Sequence, residues 1–155
     1  MWKWIQKWGS PKLFYQMSFS WGLGFTLVAV ALLSVGLIWG LVFSPADYQQ
    51  GNSFRIIYIH VPTAMLAEMI YMTMASMGAI AIIWKIKMAS MVLRSIAPVG
   101  TVFAFIALAT GAIWGKPTWG AYWVWDARIT SMLILLFLYA GVMALQYAYH
   151  SVDAA

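Results

Sequence analysis

Apolar positions fall in four long unbroken runs, at about residues 19–43, 56–84, 95–113 and 129–149, separated by short polar or basic stretches. Between Lys12 and Asp47 no residue carries a charge. A helix of roughly 20 residues crosses the hydrocarbon core of a bilayer, and these runs match that length. They are continuous and do not alternate with period two, so they read as helices and not as strands of a closed barrel. The expectation is an all-α polytopic bundle of four transmembrane helices forming a single membrane domain over residues 1–155. Pro45 and the polar run Asp47-Tyr48-Gln49-Gln50-Gly51-Asn52-Ser53 mark the first connection. Lys85, Lys87 and Arg94 bracket a short basic second one, and a tryptophan-rich loop at 114–128 makes the third.

Composition supports the same class. Hydrophobic residues are 64% of the chain and charged residues 8%, against about 45–50% and 25% in soluble domains, too few charges to cover a soluble surface. With no cysteine, disulfides, thiolate metal sites and covalent heme attachment through C-x-x-C-H are excluded. The net charge of +5 does not point to nucleic acid, because the basic residues sit at segment ends, as membrane topology dictates. Lys3, Lys7, Lys12, Lys85, Lys87 and Arg94 fall on one side, and Arg55, Lys116 and Arg128 on the other. The lysine and arginine excess places both termini and the 85–94 connection in the cytoplasm, with the 44–55 and 114–128 loops together outside. Residues 1–12, with Trp4 and Trp8 at helical spacing beside Lys3 and Lys7, suit an interfacial anchor helix. The first apolar run has full span length and no small-residue cleavage pattern, so no cleavable signal peptide is expected.

The chemistry concentrates outside. Four of the ten tryptophans, Trp114, Trp119, Trp123 and Trp125, crowd into residues 114–126 with Tyr122. Any one of them fits an interfacial aromatic belt. A whole loop of them, shaped by Gly115, Pro117 and Gly120, suits a large flat apolar ligand better, because rings stack on rings. His60 lies at the outward end of the second run, where Pro62 sets it at a helix start or a kink. Histidine is a metal and heme ligand, and also an ordinary interfacial residue. Asp126 suits a helix N-cap, while Arg55, Lys116 and Arg128 are candidates to meet an anionic group such as a carboxylate. Glu68, about two turns deeper than His60, is an ionisable group inside a span, either functional or bonded within the bundle. His150 belongs to the opposite face, about 30 Å from His60, so the two do not ligate one iron.

Trp114-Gly115-Lys116-Pro117, Trp119-Gly120 and Trp123-Val124-Trp125-Asp126-Ala127-Arg128-Ile129-Thr130 resemble the WWD signature of heme-handling proteins. With Ala46-Asp47-Tyr48-Gln49-Gln50-Gly51-Asn52-Ser53 and Arg55-Ile56-Ile57-Tyr58-Ile59-His60-Val61-Pro62 upstream, nearly the whole chain resembles the heme exporter protein C (CcmC) family of cytochrome c maturation. The resemblance implies a multi-pass protein of the bacterial inner membrane that binds heme b transiently and without covalent attachment. It implies delivery at the periplasmic face to the heme chaperone CcmE, alongside the small membrane subunit CcmD and the ABC-type subunits CcmA and CcmB. His60 matches the first axial iron ligand, and Trp114, Trp119, Trp123, Trp125 and Asp126 match the heme-presenting loop. The expected activity is binding and transfer and not enzymatic catalysis. Two alternatives stand beside it: a structural subunit of an ABC-type heme export assembly that holds no heme, and a transporter with Glu68 on its path. The likeness covers only the first four of about six spans in that family. Its second axial histidine lies in an outward loop beyond the fourth, so the chain reads as short by about two helices.

Overall fold

The computed structural model describes residues 10–152. The interfacial helix expected at 1–12 lies almost wholly outside the described residues. Four helices dominate: α1, Pro11–Ile38; α2, Ile57–Trp84; α3, Lys87–Trp119; and α4, Ala127–Val152. Each contains a stretch long and apolar enough to cross a membrane, so the all-α, four-span expectation holds.

Local chemistry sets the ends. Pro11 opens α1, where its missing N–H costs no hydrogen bond. The helix continues into a turn of π-helix over Trp39–Phe43, which closes as the Ser44 N–H donates to the Trp39 carbonyl. There Gly40 admits the Tyr58 ring, which a Cβ would meet at 2.7 Å. The Tyr58 hydroxyl lies 2.9 Å from Ser44 Oγ. In the following loop, the Asp47 carboxylate accepts the N–H groups of Gln49 and Gln50 at 2.9 and 2.8 Å. Asp47 and Gly51 exchange backbone hydrogen bonds across the turn, with Gly51 at φ 58°. A short 3₁₀ segment, Asn52–Ile56, leads into α2.

Two expected loops are shorter than the sequence suggested. The basic connection shrinks to Lys85 and Ile86, one left-handed and one extended, because Lys87 to Arg94 already belong to α3. Lysine and arginine are good helix formers, so charge ends a lipid-soluble stretch without ending the helix. At the other end, α3 continues through Trp119, and only residues 120–126 are irregular. Pro117 does not stop it. The Thr118 hydroxyl donates to the Trp114 carbonyl, Gly120 takes the left-handed capping conformation at φ 82°, and its N–H donates to the Lys116 carbonyl.

The helices pack as a sequential sheaf, α2 on α3 and α3 on α4, while α1 touches its neighbours only lightly. The α3 interface is built from small residues, with Ala97, Gly100, Ala104 and Ala107 buried along it. Small side chains let backbones approach closely, which in lipid replaces the hydrophobic drive for association. Tyr139 of α4 is the largest fully buried side chain described. It crosses over Gly100 and donates its hydroxyl to the Ala67 carbonyl of α2 at 2.6 Å, tying three helices together.

Candidate functional site

At the end of the bundle where the 44–51 loop meets residues 114–128, α2, α3 and α4 enclose a cavity of about 590 Å³. Such a volume falls within the usual range of cofactor and ligand pockets, about 300–1,000 Å³. Its walls come from elements far apart in sequence: Gln50 from the loop, His60 and Glu68 from α2, Trp114 and Trp119 from the end of α3, and Arg128 from the start of α4.

His60 is in the first turn of α2, as Pro62 suggested. The Thr63 hydroxyl donates to the carbonyls of Ile59 and His60, tying that turn down. The imidazole crosses to α3, where Nδ1 lies 2.9 Å from the Ala107 carbonyl oxygen and 3.1 Å from Thr110 Oγ1. A carbonyl only accepts, and the Thr110 hydroxyl spends its proton on Ile106. Nδ1 therefore carries the hydrogen, leaving the Nε2 lone pair unbonded among the described residues. This is how proteins orient a metal-ligating histidine. Gly111 makes the approach possible, since a Cβ there would stand 2.9 Å from His60 Cε1. Trp114 completes the seat, its ring edge-on to the imidazole at 5.8 Å and to Phe54 at 6.5 Å.

The rim combines aromatic faces with charge. Trp119 lies against Gly115, where a Cβ would come within 2.8 Å of its ring. The Arg128 guanidinium stands 5.8 Å from the Trp119 ring centroid and donates to the Asp126 carboxylate at 2.9 Å. Asp126 caps α4 by accepting the Ile129 N–H at 2.9 Å. That backbone hydrogen bond, chiefly, and then Arg128 hold the Asp126 carboxyl below the usual carboxylate range, against a partly opposing desolvation. Glu68 lies two helical turns from His60, about 12 Å along the axis, and also lines the cavity.

Six of the residues singled out from sequence thus share one cavity: His60, Glu68, Trp114, Trp119, Asp126 and Arg128. Four others do not line it: Arg55, Lys116, Trp123 and Trp125. Arg55 donates to the Ser44 carbonyl at 2.7 Å, bracing the connection between α1 and α2. Lys116 donates to the Gly120 carbonyl and lies 5.5 Å from the Tyr122 ring centroid. Trp123 and Trp125 pack edge to face on each other at 5.3 Å in the irregular segment. His150 falls in the last turns of α4, some 33 Å of helix from Arg128. Sequence reasoning assigned no site role to Gln50, Ala107, Thr110 or Gly111. Their roles arise only where α2, α3 and the loop meet, and no local pattern marks them.

A bundle of membrane-spanning helices whose end turns and loops wall an aromatic, histidine-bearing cavity defines a polytopic membrane protein with a cavity at one end of the bundle. The match to a family is equally clear: the profile described as "CcmC: Heme exporter protein C" covers residues 4–155, and the chain belongs to that family. The heme exporter protein C of Haemophilus influenzae is 49% identical over 149 residues, covering 96% of this chain and 61% of its own length. That of Escherichia coli K12 is 52% identical over 150 residues, with the same coverage. That of Paracoccus denitrificans is 44% identical over 127 residues, 82% of this chain and 52% of its own. The chain therefore spans about three fifths of the length of the first two of these curated relatives. It is a multi-pass protein of the inner membrane.

Proposed function

We propose that the cavity binds heme as cargo at the periplasmic face of the inner membrane and presents it for delivery during cytochrome c maturation. The observation that carries this reading is the His60 seat. The imidazole, fixed through Nδ1–H to Ala107, offers Nε2 to the cavity as an axial iron ligand. Trp114 and Trp119 provide faces for the macrocycle, and Arg128 provides a guanidinium for a propionate. The names of the relatives support heme as the ligand. The receiving partners follow from the family resemblance: the chaperone CcmE takes the heme, with CcmD, CcmA and CcmB as membrane and ABC-type partners. Trp123 and Trp125, outside the cavity on the same loop, offer a docking surface, and Trp125 is largely exposed. The chemistry proposed for this chain is binding and transfer.

Loading the purified protein with heme tests this. Wild type is expected to give the absorption spectrum of histidine-ligated heme, and His60→Ala to lose it. Wild type that takes up no heme would instead favour a scaffolding subunit. One observation favours a second reading, transport across the membrane: the cavity reaches Glu68 within the span. That reading requires Glu68→Gln to abolish heme export while heme occupancy at the outer face persists.

A further inference from the structure

Gln50 lines the cavity from the first connection, a loop whose sequence carries part of the family resemblance but no residue assigned to the site. Its backbone is not loosely placed. The Asp47 carboxylate accepts the Gln50 N–H at 2.8 Å, and the Ser53 hydroxyl donates to the Gln50 carbonyl at 2.5 Å. The backbone bonds between Asp47 and Gly51 close the turn around it. The side chain then reaches across to the end of α3, where Trp114 Nε1 donates to Gln50 Oε1 at 2.8 Å.

This last contact decides which way the amide faces. An indole N–H is a donor only, so its partner is the amide oxygen and never the NH₂. The Gln50 NH₂ is thereby turned away from Trp114, and its two hydrogens have no acceptor among the described residues. Asp126, the acidic residue near the rim, is already occupied by Arg128 and the Ile129 N–H.

We propose that Gln50 is a ligand-contacting residue whose NH₂, oriented by Trp114, donates to a carboxylate of the molecule in the cavity. Resting on the heme reading above, that carboxylate is a propionate, and Gln50 and Arg128 are two separate donors for the acidic edge of one ligand. The 47–53 loop is then part of the binding site, and Trp114 both packs on the iron-ligating histidine and aims the amide.

The test measures binding of heme and of heme dimethyl ester, which lacks the carboxylates, to wild type, Gln50→Glu, Gln50→Leu and Trp114→Phe. Gln50→Glu keeps the acceptor for Trp114 and replaces the donor by a negative charge. Gln50→Leu removes both. A hydrogen bond to a charged group corresponds to about a tenfold change in affinity. Heme is expected to bind at least about tenfold more weakly to Gln50→Glu and several-fold more weakly to Gln50→Leu, on the same scale. Trp114→Phe, which frees the amide, is expected to narrow the preference of the protein for heme over its diester. Both Gln50 variants should lose much less affinity for the diester than for heme, and the diester binding they retain also shows that they are folded. Unchanged heme affinity in both Gln50 variants, or equal losses for heme and diester, overturns the proposal. If those results accompany wild-type binding that depends on His60, the heme reading survives and only the role of Gln50 falls. Wild type that binds neither compound overturns both.

Discussion

At the scale of single residues, the site depends on what is small as much as on what is reactive. His60 reaches the Ala107 carbonyl because Gly111 leaves room for the ring. Alanine at that position would favour the helix, so Gly111→Ala should leave the melting temperature near or above that of wild type. Its Cβ would nevertheless press on the imidazole at 2.9 Å from Cε1, and the Nδ1 contacts would break. The expected outcome is a stable protein whose heme affinity falls by more than tenfold, measured by titration and thermal denaturation side by side. Equal loss of both would mean that Gly111 matters for packing alone. His60, Trp114, Trp119, Asp126 and Arg128 were legible from sequence because their chemistry is intrinsic to the side chain. Gly111 and Thr110 were not, since each acquires meaning from a ring supplied 50 positions away. Arg55 shows the converse, for a cation in an outward segment resembles an anion site, yet this one is turned to a backbone carbonyl.

Helix pairs explain why the cavity keeps its shape. Along α3 the buried positions are alanine and glycine, and the bulk that fills the gap comes from a neighbour, Tyr139. A Cβ at Gly100 would stand 2.3 Å from that ring, and overpacking of this kind typically costs about 1–3 kcal/mol. Gly100→Ala is therefore expected to lower thermal stability in detergent, whereas Tyr139→Phe, which only removes the hydrogen bond to Ala67, should cost about 1 kcal/mol. In Gly100→Ala combined with Tyr139→Ala the two losses should be less than additive, because the clash has gone. Full additivity would show that the two residues do not meet. Helix ends were the least legible feature. Hydropathy marks where lipid solubility stops, at Ile113 for α3, whereas the backbone follows caps, and the cap is Gly120. Trp114 and Trp119 consequently sit on a rigid helix, which fixes their faces more firmly than a loop would.

For the molecule as a whole, the four spans were evident from hydrophobic pattern alone, because the bilayer demands length and apolarity from each helix regardless of its neighbours. How the helices arrange themselves was not, since side-chain size along α3 encodes contact without naming the partner. The hydrogen bond between Gln50 and Trp114 shows that the first and third connections share one end of the bundle. The distribution of lysine and arginine predicts that this end faces the periplasm. A reporter active only in the periplasm should work when fused after Gly120 and stay silent after Arg94, and the reverse pattern would invert the orientation. Heme binding in the proposed site depends on the His60 imidazole. Chemical rescue tests this dependence most directly: His60→Gly, loaded with heme, is titrated with free imidazole while the absorption spectrum is recorded. Imidazole is expected to restore the histidine-ligated spectrum in a saturable way in His60→Gly and to leave wild type unchanged. A His60→Gly protein whose spectrum already matches wild type without imidazole would contradict that dependence.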